Sequence, residues 1–281
     1  MKITRKPEWL QKKISTSSHG EMERLLGDLS LHTVCQEAFC PNISECFRQH
    51  QATFLILGKI CTRLCSFCNV GKGIPRLPDE EEPARVAEAV RRLGLAHVVV
   101  TSPTRDDLPD GGASQYAATV QAIREAAPGA VVELLVPDFR GDRSALEMVL
   151  DAGPDIVGHN IETVPSLYHI REGADYLRSL KVLEYIQGYS SDLKAKSGVM
   201  LGLGETEEEL LVVLADLRRV NCCYLSIGQY LAPSRRHHPV LEFIEPERFD
   251  YYREKALAMG FLHVESGPYV RSSYHAAEYK G

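Results

Sequence analysis

The 281-residue chain is predicted to fold as an α/β protein, a partial (β/α)6 TIM-like barrel with an N-terminal extension and a C-terminal tail packed on it. Three observations carry that prediction. From Phe54 onward, short β-branched or apolar runs alternate with amphipathic stretches, the signature of parallel strands joined by crossover helices. Six strand runs can be counted, too few for an eight-fold barrel, so an open one with ligands at the carboxyl ends of its strands fits better. Neither flank has the composition of a flexible linker. The expected organisation is therefore an extension over 1–52, the repeat over 53–260 and a terminal segment over 261–281, all in one structural unit.

The six strand candidates are FLILG from Phe54, HVVVTS from His97, VVELLV from Val131, DIVGHN from Asp155, SGVMLGL from Ser197 and YLSIGQY from Tyr224. Between them, PARVAEAVRRLG places Val86, Val90 and Leu93 on one helical face, and ETEEELLVVLADLRR does the same for Leu210, Leu214 and Leu217. Thr206 with Glu209 has the spacing of a capping box. Trp9 is expected to anchor a helix at the N-terminus.

Composition narrows the function classes. A net charge of −6 with both signs interspersed gives no broad basic surface for nucleic acid. No window approaches the roughly 18 apolar residues of a membrane span, and the basic N-terminus has no apolar stretch or cleavage site. A cytoplasmic protein is expected. In a long chain with no export signal, clustered cysteines point to metal or catalysis rather than to a disulfide framework.

Six of the eight cysteines lie between residues 35 and 68. Cys61, Cys65 and Cys68 form C-x3-C-x2-C in CTRLCSFC, and Cys35, Cys40 and Cys46 form C-x4-C-x5-C in CQEAFCPNISEC. Zinc commonly takes four ligands in two paired C-x2-C knuckles. Neither triplet shows that pairing, and three thiolates can hold a four-iron cluster with one iron open. On spacing alone, both metals remain in play.

The motif CTRLCSFC after a first barrel strand, with Phe67 beside its third cysteine, resembles the radical S-adenosylmethionine enzymes. With the upstream triplet and the phrases TFLILGKICTRLCSFCNV, RDDLPDGGA, HNIETVP, KSGVMLGLGETEEE, IGQYLAPS and GPYVRSSYHA, the chain is similar to the lipoyl synthase family over residues 35 to 277. The resemblance implies two [4Fe-4S] clusters. Cys61, Cys65 and Cys68 would hold the cluster that binds S-adenosylmethionine and yields a 5′-deoxyadenosyl radical. Cys35, Cys40 and Cys46 would hold an auxiliary cluster consumed as sulfur donor, its fourth ligand being Ser273 of the Arg271–Tyr274 run RSSY. The implied reaction inserts two sulfur atoms at carbons 6 and 8 of an octanoyl group on a lysine of a carrier protein, a lipoyl domain or the glycine-cleavage H protein. An electron donor and a cluster-repair protein complete the implied partners. A methylthiotransferase-like radical enzyme or a zinc-stabilised binding module is the alternative.

Candidates for holding S-adenosylmethionine lie where strands end: Thr101, Ser102, Asp107, Asn160, Glu162, Lys196 with Ser197, Gln229 and, further along, Arg171. The GLGET turn, Gly202 to Thr206, could bring backbone close to the adenosine. Asp106, Asp107 and Asp110 read equally well as turn or cap residues. Adjacent Cys222 and Cys223 point to opposite faces of a strand and are expected to be buried structural thiols. Arg235, Arg236, His237 and His238 form a basic loop open to an acidic carrier or to solvent.

Overall fold

A computed structural model describes residues 6–11, 20–48 and 51–276. The strands, in chain order, are β1 (His32–Thr33), β2 (Thr53–Leu55), β3 (Ile60–Cys61), β4 (Gly71–Lys72), β5 (His97–Thr101), β6 (Val131–Leu135), β7 (Ile156–Gly158), β8 (Lys194–Leu201), β9 (Tyr224–Gln229) and β10 (His263–Gly267). The α-helices are α1 (Gly20–Asp28), α2 (Val34–Glu37), α3 (Ile43–Arg48), α4 (Glu82–Leu93), α5 (Ala113–Ala126), α6 (Arg143–Asp151), α7 (Tyr176–Tyr189), α8 (Glu207–Arg219) and α9 (Pro246–Ala258). One sheet has the order β1-β2-β5-β6-β7-β8-β9-β10. The pairs β2/β5, β5/β6, β8/β9 and β9/β10 are parallel, and β1 joins β2 antiparallel.

All six predicted strands are present, and the helices α4 to α9 each connect one sheet strand to the next. The repeat is thus six β/α units followed by a further parallel strand. That last strand, β10, falls in the segment expected to be a packed tail. Its sequence HVESG buries only Val264 well, so it carries no alternating apolar signal. Strand β8 begins three residues before the predicted Ser197, because Lys194 and Lys196 disguise it, although Lys196 is buried.

Two compact units divide the chain. One consists of Ile14–Arg63 and Asn69–Val157, the other of Met1–Lys13, Leu64–Cys68 and Gly158–Gly281. In the first, the β-branched strands β5 and β6 are covered by α4 and α5, with Val86, Val90, Val98, Val100, Val120 and Val132 wholly inaccessible. In the second, α8 buries Leu210, Leu214 and Leu217 as its spacing requires. Trp9 is 40% exposed and it is Leu10 that is buried, so the expected tryptophan anchor is replaced by a leucine.

Helix ends follow local chemistry. Gly94, in the left-handed region at φ 60°, ends α4, and Asp142 and Asp175 accept backbone N–H groups at the starts of α6 and α7. At α8 the capping box is complete: Thr206 Oγ1 accepts from Glu209 N–H at 3.2 Å, and Glu209 accepts from Thr206 N–H at 2.9 Å. Replacing Thr206 with Ala is expected to lower stability by about 1 kcal/mol. Denaturant titration checks this, as a lower midpoint with unchanged slope.

Candidate iron–sulfur and S-adenosylmethionine site

Backbone geometry, rather than packing of the thiols themselves, presents the cysteines. Cys35 sits in α2, whose N-cap Thr33 accepts from Gln36 N–H. The chain then turns through Phe39, at φ 49°, so that Cys40 N–H donates to the Cys35 carbonyl at 3.0 Å. Cys46 lies in α3, its N–H bonded to the carbonyl of buried Asn42 at 2.9 Å. Burial and the neighbouring Cys40 and Cys46 push the Cys35 thiol up to about 12. The charges of Cys40 and Cys46 thus bear on Cys35, the second and smaller cause after burial. Asn69 donates to the Glu37 carbonyl at 2.8 Å, tying this loop to the residue that follows Cys68.

The second triplet is anchored at both ends, each within its own unit. At the first end, Cys61 closes β3, which pairs with β4, and the N–H of Arg63 donates to Cys61 Sγ at 3.4 Å. Thr62 binds the Thr104 carbonyl through both its N–H and its hydroxyl, at 3.1 and 3.0 Å. Arg63 is buried with two carboxylates. Its guanidinium makes paired bonds to Asp106 at 2.7 and 3.0 Å and a third to Asp138 at 2.5 Å. Burial opposes its charge, but the bonds to Asp106 and then Asp138 outweigh that and raise its pKa. At the other end, Ser66 N–H donates to the Ile170 carbonyl at 2.9 Å, and the Ser66 carbonyl accepts from His238 N–H at 2.9 Å. Between them, Cys68 N–H donates to the Cys65 carbonyl at 3.3 Å. Phe67 packs against Ile170, Leu203 and Tyr230, and burial and the nearby Cys68 both raise the Tyr230 pKa.

Among the described residues, no three His, Cys, Asp or Glu side chains already form a metal-holding group. The donor set nevertheless suits iron–sulfur. All eight cysteines are free thiols, the six of the two triplets lie on turns, short helices or the end of the short strand β3, and Cys35, whose pKa its neighbouring thiols help to raise, would be relieved of that repulsion by bonding to iron.

The predicted S-adenosylmethionine residues divide. Thr101 and Ser102 donate to the carbonyls of Leu135 and Pro103, both at 2.8 Å, while Asp107 is clamped by Arg105 at 2.8 and 2.9 Å. Arg105 is itself inaccessible and also binds the Leu57 and Arg76 carbonyls. Asp110 accepts from Gly112 and Ser114 at the start of α5, the capping role that its turn sequence suggested. In the other unit, Asn160 bonds Glu162, and Arg171 lies close enough to oppose the burial that raises the Glu162 pKa. Lys196 is 3% exposed, and Ser197 joins the His159 carbonyl to Ile161 N–H. Gln229 serves the framework: its amide nitrogen lies 3.0 Å from the carbonyls of Leu201, Tyr230 and Glu242, and its oxygen accepts from Ile244 N–H.

Three other expectations are sharpened. The GLGET turn is occupied by its own glutamate, since Glu205 accepts from the N–H groups of Gly202, Leu203 and Gly204. His238 is a packing residue whose ring bonds the Leu203 carbonyl, whereas Arg235 and Arg236 are exposed. Cys222 and Cys223 are buried, their thiols directed to Ala195 and Tyr224 carbonyls and to Gln187 respectively. Arg63 was not singled out by its type or spacing. A charged residue inside a cysteine motif is the one signal that could have drawn attention to it.

Comparisons with known proteins place the chain in a family. The Radical SAM superfamily pattern matches residues 55–217. A lipoyl synthase of Geotalea uraniireducens is 70% identical over 279 residues, covering 99% of both chains. One from Geobacter metallireducens is 68% identical over 281 residues, covering 100% of this chain and 99% of its own. Among solved structures, SuiB of Streptococcus suis bound to its precursor peptide superposes with a TM-score of 0.61 at 12% identity, covering 76% of this chain and 48% of SuiB. Methylornithine synthase superposes at 0.57 with 14% identity, covering 82% and 77%. Those two likenesses concern the fold; the full-length identities, with both cysteine triplets in place, establish that the chain belongs to the lipoyl synthase family of radical S-adenosylmethionine enzymes.

Proposed function

We propose that the chain inserts two sulfur atoms, at carbons 6 and 8, into an octanoyl group carried on a lysine of a lipoyl carrier protein, a lipoyl domain or the glycine-cleavage H protein. The observation that carries this reading is the combination of both cysteine triplets and the RSSY run with 70% identity to a lipoyl synthase over 99% of the chain. Unactivated C–H bonds have no acidity for a base to use. A bound cluster and S-adenosylmethionine would supply one-electron cleavage to a radical able to take hydrogen from carbon, and a second cluster would supply sulfide.

The protein's share is holding and orienting. Cys61, Cys65 and Cys68 hold the cluster that binds S-adenosylmethionine, with Arg63 N–H directed at Cys61 Sγ. Glu162 and Arg171, a half-buried carboxylate and a guanidinium in one unit, are suited to the cofactor's amino and carboxylate groups, with Asn160 bonded to Glu162 and Lys196 completing the candidates of that unit. Thr101, Ser102, Asp107 and Gln229 make up the rest of the set: the Thr101 and Ser102 hydroxyls, which donate to the Leu135 and Pro103 carbonyls, can still accept, and the bonds of Asp107 and Gln229 fix the strand ends around them. Cys35, Cys40, Cys46 and Ser273 hold the donor cluster. A serine oxygen is harder than a thiolate and leaves iron more readily, which suits a cluster that must surrender sulfur.

Reductive cleavage of S-adenosylmethionine calls for an electron donor, and consumption of a cluster for a protein that rebuilds it. Eight free thiols suit a reducing compartment, so we place the protein in the cytoplasm. Among the described residues no helix is long and apolar enough to cross a membrane.

Incubation with an octanoyl-lysine peptide, reductant and S-adenosylmethionine should add two sulfurs by mass spectrometry; a methylthio product, or none, would contradict the reading. Replacing Ser273 with Ala is expected to keep 5′-deoxyadenosine formation while lowering sulfur insertion by roughly tenfold or more, checked by quantifying both products. Replacing Cys65 with Ala should abolish 5′-deoxyadenosine formation and remove about half the bound iron, a loss that iron and sulfide analysis would reveal.

A further inference from the structure

We propose that Asn160 is a positioning residue for the terminal serine turn, acting through Ser272 to present Ser273. This rests on the reading of Ser273 as a donor-cluster ligand.

Asn160 follows β7 and is 9% exposed. Its side-chain nitrogen donates to Glu162 Oε1 at 3.1 Å and to Ser272 Oγ at 2.7 Å, bridging positions 112 residues apart in the chain. An ionised carboxylate only accepts, so Glu162 determines which end of the amide faces it. The amide oxygen turns toward Gly198, where a Cβ would stand 2.9 Å from it. A side chain at Gly198 would therefore displace the amide from this position.

The far side of the turn is seated on β9. A Cβ on Gly228 would stand 2.2 Å from the Val270 carbonyl oxygen, so only glycine lets the tail approach there. Val270 N–H donates to Gly267 and Tyr274 N–H to Arg271, closing the backbone on either side of the serines. Adjacent Cα atoms are about 3.8 Å apart, so a fixed Ser272 restricts where Ser273 can go. An oxygen ligand binds iron weakly, and its occupancy then depends on how well the chain presents it. The same amide group touches Glu162, so a ligand that draws on that carboxylate acts on the serine turn as well.

The test uses Ser272→Ala, Ser272→Thr, Asn160→Ala and the Asn160→Ala/Ser272→Ala double variant in the full chain. Hydrogen exchange over residues 270–274 is measured before cluster loading, and iron release to a ferrous chelator after anaerobic loading. Loss of one hydrogen bond should speed both processes about fivefold in Ser272→Ala, and Ser272→Thr, which keeps the hydroxyl, should restore the wild-type rates. In exchange, Asn160→Ala should match Ser272→Ala, and the double variant should add nothing further. Wild-type exchange in Ser272→Ala, equal acceleration in Ser272→Thr, or additive effects in the double variant would overturn the proposal. If wild-type protein takes up the iron of a single cluster only, the reading of Ser273 fails, while the exchange rates still decide whether Asn160 holds the turn.

Discussion

A guanidinium buried against two carboxylates secures the start of the cysteine motif. Arg63, 7% exposed in its side chain, meets Asp106 from the β5–α5 loop and Asp138 from the segment after β6. Removing one partner from such a buried group typically costs about 3–5 kcal/mol, because a charge is left uncompensated. The sequence position of Arg63, two residues after Cys61, makes this network a fastening for the first thiol. Ser66, held by Ile170 and His238, fastens the run that carries Cys65 and Cys68. A motif made of loop is thereby given definite backbone at both ends without the thiols having to pack against one another.

The chain divides its cysteines by environment. Cys222 and Cys223 are taken into the core beside β9, where carbonyl and amide oxygens occupy their thiols. Of the other six, Cys35 is buried and five are part-exposed, and all lie on turns, short helices or the end of the short strand β3, outside the main sheet. In the proposed function the two triplets differ in what would complete them. An open iron held by Cys61, Cys65 and Cys68 would suit a cofactor that must bind and leave, whereas Ser273 as fourth ligand with Cys35, Cys40 and Cys46 would suit a cluster that must come apart. Radical generation and sulfur supply would then be separate tasks for separate ligand sets.

Much of this was legible in the sequence because it is local. Cysteine spacing, the alternation of strand and helix, and the Thr206–Glu209 box each lie within a dozen residues, where periodicity and cap chemistry act. What was not legible depends on partners far along the chain. Asp138 is 75 residues from Arg63 and Ser272 is 112 from Asn160, and neither pairing leaves a local pattern. Strand β10 was missed because an edge strand needs little apolar sequence, and Lys196 obscured β8 because a buried lysine reads as a surface one. Gln229 and Glu205 have the polarity of ligand-binding residues, yet their hydrogen bonds go to the protein's own backbone. Side-chain type announces capacity; only the fold shows where that capacity is spent.

The central claim is that the sulfur in the product comes from the protein's own Cys35–Cys40–Cys46 cluster. It is tested most directly by rebuilding the clusters with ³⁴S-sulfide, removing free sulfide, and analysing a single turnover on an octanoyl-lysine peptide in medium containing only ³²S. Both inserted sulfurs should be ³⁴S, and a variant with those three cysteines replaced by alanine should give no thiolated product. Product carrying ³²S from the medium, or sulfur insertion by the triple variant, would contradict the account.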